Sequence, residues 1–287
     1  MKIWNVRAEV GECPFWDTQT KSLYWVDIRS PALHQHSLDG DRLRSWPLPA
    51  PVGAFALLED GMRALVALAS GLALLDLASG RVEHLLDPEP DRPENRLNEG
   101  KVSPCGQYFV FGSMDDRTVK EATGALYCLS ADRSIRTLAT GLVVANGVAW
   151  SPDASTLYFS DSRAPTIWAS DWNAATGTIA NQRIFASPSA QQGRPDGAAM
   201  DEEGHYWSAG VSAGRLNRFA PDGRIVETID LPVQAPTMPA FGPNGSRVMF
   251  VTSHRQVEKP TDEDGSIVVL DVAQNGMPQR RFQLEDR

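Results

Sequence analysis

The chain has no apolar run that approaches the roughly 20 uncharged residues a bilayer-spanning helix needs. It is also short of cysteine. Cys13, Cys105 and Cys128 are odd in number and far apart, so no disulfide framework is expected. Basic residues are outnumbered, 27 Lys+Arg against 36 Asp+Glu, for a formal net charge of −9. That balance argues against a nucleic-acid backbone as partner, because such a partner requires a basic face, and against an anionic membrane surface. A signal peptide's apolar core is missing as well, because Arg7 and Glu9 interrupt the first ten residues. Nor does any segment sustain helical periodicity for three turns. These absences lead to the expectation of a cytoplasmic protein with no nucleic-acid and no membrane partner, and they set no oligomeric state. The chain does have length. Its 287 residues can bury about three quarters of their unfolded surface, enough for a core without disulfides or metal.

A phrase recurs through that length. A turn followed by a short aromatic and β-branched run begins at Asp17, Glu59, Ser103, Ser151, Asp201 and Gly242, with spacings of 42, 44, 48, 50 and 41 residues. Second hairpin signals follow, as in Gly124-Ala125-Leu126-Tyr127 and Gly214-Arg215-Leu216-Asn217. Four short strands every 40–50 residues is the period of a propeller blade. The pattern predicts an all-β, six-bladed β-propeller forming one domain over residues 1–287, and residues 3–10 are expected to pair with the last blade and close the ring.

Because blades are radial, equivalent positions on the innermost strands lie at one depth around the channel. Five residues before each turn the chain reads Glu12, Ala54, Asn98, Asn146, Asp196 and Thr237. A dry strand core would carry Val, Ile or Leu there, since unpaired buried polar groups are costly. Oxygen donors converging on an axis suit a hard divalent cation. His34, His36, His84, His205 and His254 all fall outside the ring, which disfavours a closed structural zinc site.

Four stretches stand out, Gly11-Glu12-Cys13-Pro14-Phe15-Trp16, Arg96-Leu97-Asn98-Glu99-Gly100-Lys101-Val102, Ala145-Asn146-Gly147-Val148-Ala149-Trp150 and Pro195-Asp196-Gly197. Through them the whole chain resembles the SMP-30/gluconolactonase family, which includes regucalcin and bacterial sugar lactonases. It implies one divalent metal ion at the channel mouth, with Glu12, Asn146 and Asp196 as ligands and Arg96 and Asn98 as substrate contacts. Two departures bear on the substrate. Glu99 stands where the family usually has Asp, and Arg117 stands where some members place an acid; both are taken as substrate-binding positions here.

The expected activity is metal-dependent hydrolysis of a sugar-acid lactone such as gluconolactone to the aldonic acid, in carbohydrate catabolism. Asp196 is expected to serve as metal ligand and as catalytic base. Calcium, zinc, manganese and iron(II) all accept this ligand set, and a neutral pentose or hexose lactone is expected ahead of an anionic one. Phe15, Met114 and Trp150 read as ordinary blade packing, with walls of the mouth as the alternative. The competing readings are a metal-dependent esterase or phosphotriesterase and a non-catalytic binding propeller. Gly210-Val211-Ser212-Ala213-Gly214 spells a nucleophile elbow, but no helix is expected after it. His34 and His36 read as a solvated strand, and Asp262-Glu263-Asp264-Gly265 as a surface turn.

Overall fold

The computed structural model describes residues 1–285, which form six four-stranded antiparallel sheets. Among these residues there is no helix, and hence none long and apolar enough to cross a membrane. Blades one to five are consecutive in the chain, spanning residues 11–47, 52–86, 95–142, 145–186 and 195–230. Blade six joins the two ends of the chain. Its outer strand is Lys2–Trp4, paired antiparallel with Ile267–Asp271, so the N-terminal segment closes the ring over residues 2–4 rather than 3–10 and covers the edge of that strand.

The recurring phrases make the second strand of each blade, among them Ser22–Asp27, Tyr108–Asp115 and Val248–Ser253. Leu23, Trp25, Val26, Phe109, Phe111 and Phe250 are almost wholly buried there, because a blade is covered on both faces by its neighbours. Each such side chain contributes about 1.5–3 kcal/mol of transfer free energy. His34 and His36 are buried too, not solvated. His34 stacks on Trp25 with ring centroids 4.3 Å apart, and burial pushes its pKa down to about 4.

The innermost strands are irregular at one level. Register shifts fall between Glu12 and Phe15, Val52 and Ala54, Leu97 and Gly100, Asn146 and Ala149, Pro195 and Ala198, and Pro236 and Pro239. All six inner strands are thus bulged at the ring position. Bulges re-aim side chains, and here they lay successive residues against the channel mouth and the blade interior in turn.

After the last strand the chain crosses the end of the channel opposite that mouth. Met277 N donates to Met200 O, Gln279 Oε1 accepts from Trp16 N, Phe282 N donates to Leu57 O and Gln283 N to Gly106 O. This strap ties blades five, one, two and three together. Arg281 anchors it through two parallel bonds, Nε to Asp17 Oδ1 at 3.0 Å and Nη2 to Asp17 Oδ2 at 2.8 Å.

Candidate functional site

At the mouth, a cavity of about 170 Å³ is lined by Glu12, Arg96, Asn98, Asn146 and Asp196 together with Met114, Lys120, Ser162, Arg163, Arg194, Thr237 and His254. Five side chains picked from sequence therefore meet in one place. Arg96 and Asn98 lie on Asn95–Val102, the inner strand of blade three; Asn146 lies on Ala145–Trp150 of blade four and Asp196 on Pro195–Met200 of blade five.

These residues form one directed hydrogen-bond chain. Arg96 Nη1 donates to Asn98 Oδ1 at 2.7 Å, Asn98 Nδ2 to Asn146 Oδ1 at 2.8 Å, and Asn146 Nδ2 to Asp196 Oδ1 at 2.6 Å. Asn146 Nδ2 also reaches Ser162 Oγ at 2.8 Å, and Asn98 Nδ2 the Ala145 carbonyl at 2.9 Å. Arg96 is held from its other side by Asp116, which accepts from Nε at 3.0 Å and from both terminal nitrogens of Arg29.

The two ring carboxylates are short of positive partners. Glu12 Oε2 accepts only from Cys13 N, at 3.0 Å, and among the described residues no salt bridge reaches Glu12 or Asp196. Burial, then repulsion from Asp196 and Glu99, hold Glu12 well above the usual carboxylate range. Burial and repulsion from Glu99 push Asp196 up to about 8. Two buried carboxylates facing one another beside a carboxamide oxygen are a donor set that a divalent cation satisfies. The residues fit the ion the sequence implies.

Several expectations fail. Glu99 does not face the mouth, because the bulge after Leu97 turns it inward. There its carboxylate accepts from Gly147 N at 2.6 Å and Val148 N at 2.8 Å, and burial raises it to about 7. Gly147 makes this seat: it sits at φ +69°, and a Cβ there would lie 2.4 Å from the Tyr206 hydroxyl. Arg117 is turned away as well, bound through Nε and Nη2 to the buried Asp115 carboxylate and paired with Glu121. Phe15 and Trp150 pack within the blades as read, against small cavities at the strap end, whereas Met114 lines the mouth.

Sequence reading missed Lys120, Arg163, Arg194, Asp116 and His254. Arg194 carried a usable signal, since it precedes Asp196 by two residues as Arg96 precedes Asn98. The others sit on connecting loops, where no period marks them. The Gly210–Gly214 motif joins strands Tyr206–Gly210 and Arg215–Phe219 with no helix, and Ser212 Oγ merely accepts from Arg194 N. Asp264 is buried inside its loop, holding Gln234 and Thr261. A second acidic group, Asp201 and Glu203 beside His205, already contains the Arg218 guanidinium, 2.8 Å from Asp201 and 2.7 Å from Glu203.

Residues 10–255 match the family described as SMP-30/Gluconolactonase/LRE-like region. The chain is 35% identical over 285 residues to the L-arabinolactonase of Azospirillum brasilense, covering 97% of this chain and 93% of that one. It is 36% identical over 249 residues to the 6-deoxy-6-sulfogluconolactonase of Pseudomonas putida, covering 86% and 84%. Among solved structures, a calcium-binding protein of Agrobacterium tumefaciens called regucalcin superposes with a TM-score of 0.90 at 28% identity, over 98% of this chain and 96% of that one. A sixfold ring, a bulge at the same level of every inner strand and a match over most of the sequence agree: the chain belongs to the SMP-30/gluconolactonase/LRE-like family.

Proposed function

We propose that this protein hydrolyses a sugar lactone to the open-chain acid, with one divalent cation held by Glu12, Asn146 and Asp196. The observation that carries the reading is the pair of buried carboxylates, Glu12 and Asp196, set without ion-pair partners beside the Arg96–Asn98–Asn146 chain. The names of the lactonase relatives support the same reaction class. A divalent ion at such a site supplies Lewis acidity for an ester carbonyl and for water.

The chain's own groups account for the rest. Asp196 Oδ1 is engaged by Asn146, which leaves Oδ2 to take a proton from the attacking water. Addition of that water to the carbonyl carbon and cleavage of the ring C–O bond yield a carboxylic acid and an alcohol. The proton held by Asp196 returns to the departing ring oxygen. A cyclic ester is reactive enough that a modest carboxylate base suffices. Arg96 spends Nε and Nη1 on Asp116, Leu97 O and Asn98, so Nη2 is left to donate to a substrate oxygen. Asn98 orients that guanidinium on one side and the Asn146 amide on the other.

Acid release from a panel of aldonolactones tests the reading, using protein stripped of metal and then reloaded with calcium, zinc, manganese or iron(II). Hydrolysis above the spontaneous rate is expected only with metal and is expected to vanish in Asp196→Asn. A metal-loaded wild type that hydrolyses no lactone overturns it; so does full activity under chelation.

A further inference from the structure

Two arginines at the mouth have no hydrogen-bonded or ion-paired side-chain partner among the described residues. Arg163 follows Thr156–Asp161 of blade four, and Arg194 enters Pro195–Met200 of blade five. Both line the cavity, and neither side chain makes a hydrogen bond or ion pair among the described residues. Their charges repel one another. Lys120, from the loop of blade three, lines the same cavity, attracted by Asp116 and Asp115 and repelled by Arg96 and Arg163. Its ammonium donates to Asp115 O at 2.7 Å and Arg117 O at 3.1 Å, leaving one N–H unused.

Nearby arginines are treated differently. Arg29 and Arg96 share Asp116, and Arg117 has Asp115 and Glu121. Asp196 is the carboxylate that attracts Arg194, and in the proposed function its charge is matched by the cation. Three cations are thus gathered along adjacent blades of a chain whose net charge is −9. For Arg163 and Arg194, like charges brought together without a paired carboxylate among the described residues are unfavourable, and a ligand that supplies the counterion recovers that energy.

We infer that the lactone used here carries an anionic group (carboxylate, sulfonate or phosphate) at the end remote from its reacting carbonyl, bound by Arg163 and Arg194 with Lys120 beside them. This rests on the lactonase reading and replaces the neutral lactone expected from sequence. The guanidinium fork suits each of the three anions, since it presents paired N–H donors to two oxygens at once. A positive rim on an acidic protein also steers such a substrate inward, an effect that salt screens.

The test measures kcat and KM for metal-loaded wild type, Arg163→Gln, Arg194→Gln and the double variant. The substrates are D-glucono-1,5-lactone and analogues with a carboxylate, a sulfonate or a phosphate at C6. At least one anionic lactone is expected to exceed the neutral one in kcat/KM by about tenfold or more, mainly through KM, as charged hydrogen bonds allow. That ratio is expected to fall about threefold for each arginine removed and to approach one in the double variant, to fall with ionic strength, and to recover partly in Arg163→Lys and Arg194→Lys. Circular dichroism and metal titration check that each variant is folded and loaded. The analogue preferred identifies the anion. A wild type that uses the neutral lactone as well as any other, or a ratio unchanged in the double variant, overturns the inference while leaving lactone hydrolysis standing. If no lactone is turned over, the lactonase reading fails and calorimetry of D-glucarate against D-gluconate decides the inference separately. Equal affinities refute an anion subsite, and a preference for the dianion that is lost in the double variant upholds it.

Discussion

Asn146 donates through Nδ2 to Asp196 Oδ1 at 2.6 Å, and this contact sets the direction of every amide behind it. Arg96 can only donate and an ionised Asp196 can only accept, so the two carboxamides between them have one consistent orientation. Asn146 Oδ1 therefore points toward Asn98 and the axis rather than toward Ser162. With two lone pairs, it can accept from Asn98 and still face a cation.

The carboxylate pair makes the metal-free protein pH-sensitive. Asp196 titrates near about 4 when unfolded and at about 8 in the fold. Between those values the folded state binds more protons, so stability falls as pH rises. In chelator, the melting temperature is expected to drop from pH 5 to pH 8. Adding the working metal removes that slope, because binding displaces the protons. Glu12→Gln is expected to raise the chelated melting temperature at pH 8 while abolishing metal-induced stabilisation. Scanning calorimetry with and without metal reads both, and a flat chelated profile counts against the buried pair.

Arg96 separates substrate use from metal binding. Arg96→Ala is expected to lower kcat/KM by about 1–3 kcal/mol in transition-state terms, the value of a charged hydrogen bond, with metal affinity unchanged. Arg96→Lys keeps the charge but cannot hold Asp116, Asn98 and substrate together, so it should restore only part of the loss. Steady-state kinetics and metal titration on the same preparations decide it; unchanged kinetics would reduce Arg96 to a rim residue.

Ser212 is expected to be dispensable. Its residue lies exposed at a hairpin turn, and among the described residues its hydroxyl is bonded to a backbone amide and to no titratable side chain. Ser212→Ala should retain hydrolysis within about threefold, since surface changes of this kind stay near ±0.5 kcal/mol. A loss of several orders of magnitude in a folded variant would point to a serine mechanism.

The strap should be worth most at Arg281. Its salt bridge with Asp17 is buried on both sides, at 6% and 3% side-chain exposure. Breaking such a pair from one side costs about 3–5 kcal/mol, and Arg281→Ala is expected to destabilise the fold by that order in urea unfolding. Burial raises the Asp17 carboxyl, but the bonds from Arg281 and Thr20 outweigh it and hold the group below its usual range. The bridge therefore stabilises fully above about pH 4 and is lost as pH falls through the lowered value. Arg281→Ala should accordingly flatten the acid limb of the stability curve.

The ring architecture was legible in the chain because it is periodic. Six turn phrases at 41–50 residue spacing fix the blades, and repeat position alone brings Glu12, Asn98, Asn146 and Asp196 to one depth. Alternation put Arg96 on the same side as Asn98, and the structure has them bonded. What periodicity cannot specify is a bulge or a loop. The shift after Leu97 sends Glu99 into the blade interior instead of the mouth, and no strand pattern announces it. Arg117 was claimed by Asp115, two residues away, through a contact that depends on how its loop folds back. Lys120 and Arg163 come from loops of different blades and meet only because the ring brings those blades side by side. Composition and repeat thus determined the fold and the polar ring at the channel mouth, whereas tertiary structure alone decided which cations gather above it, because that depends on distances between chain segments far apart in sequence.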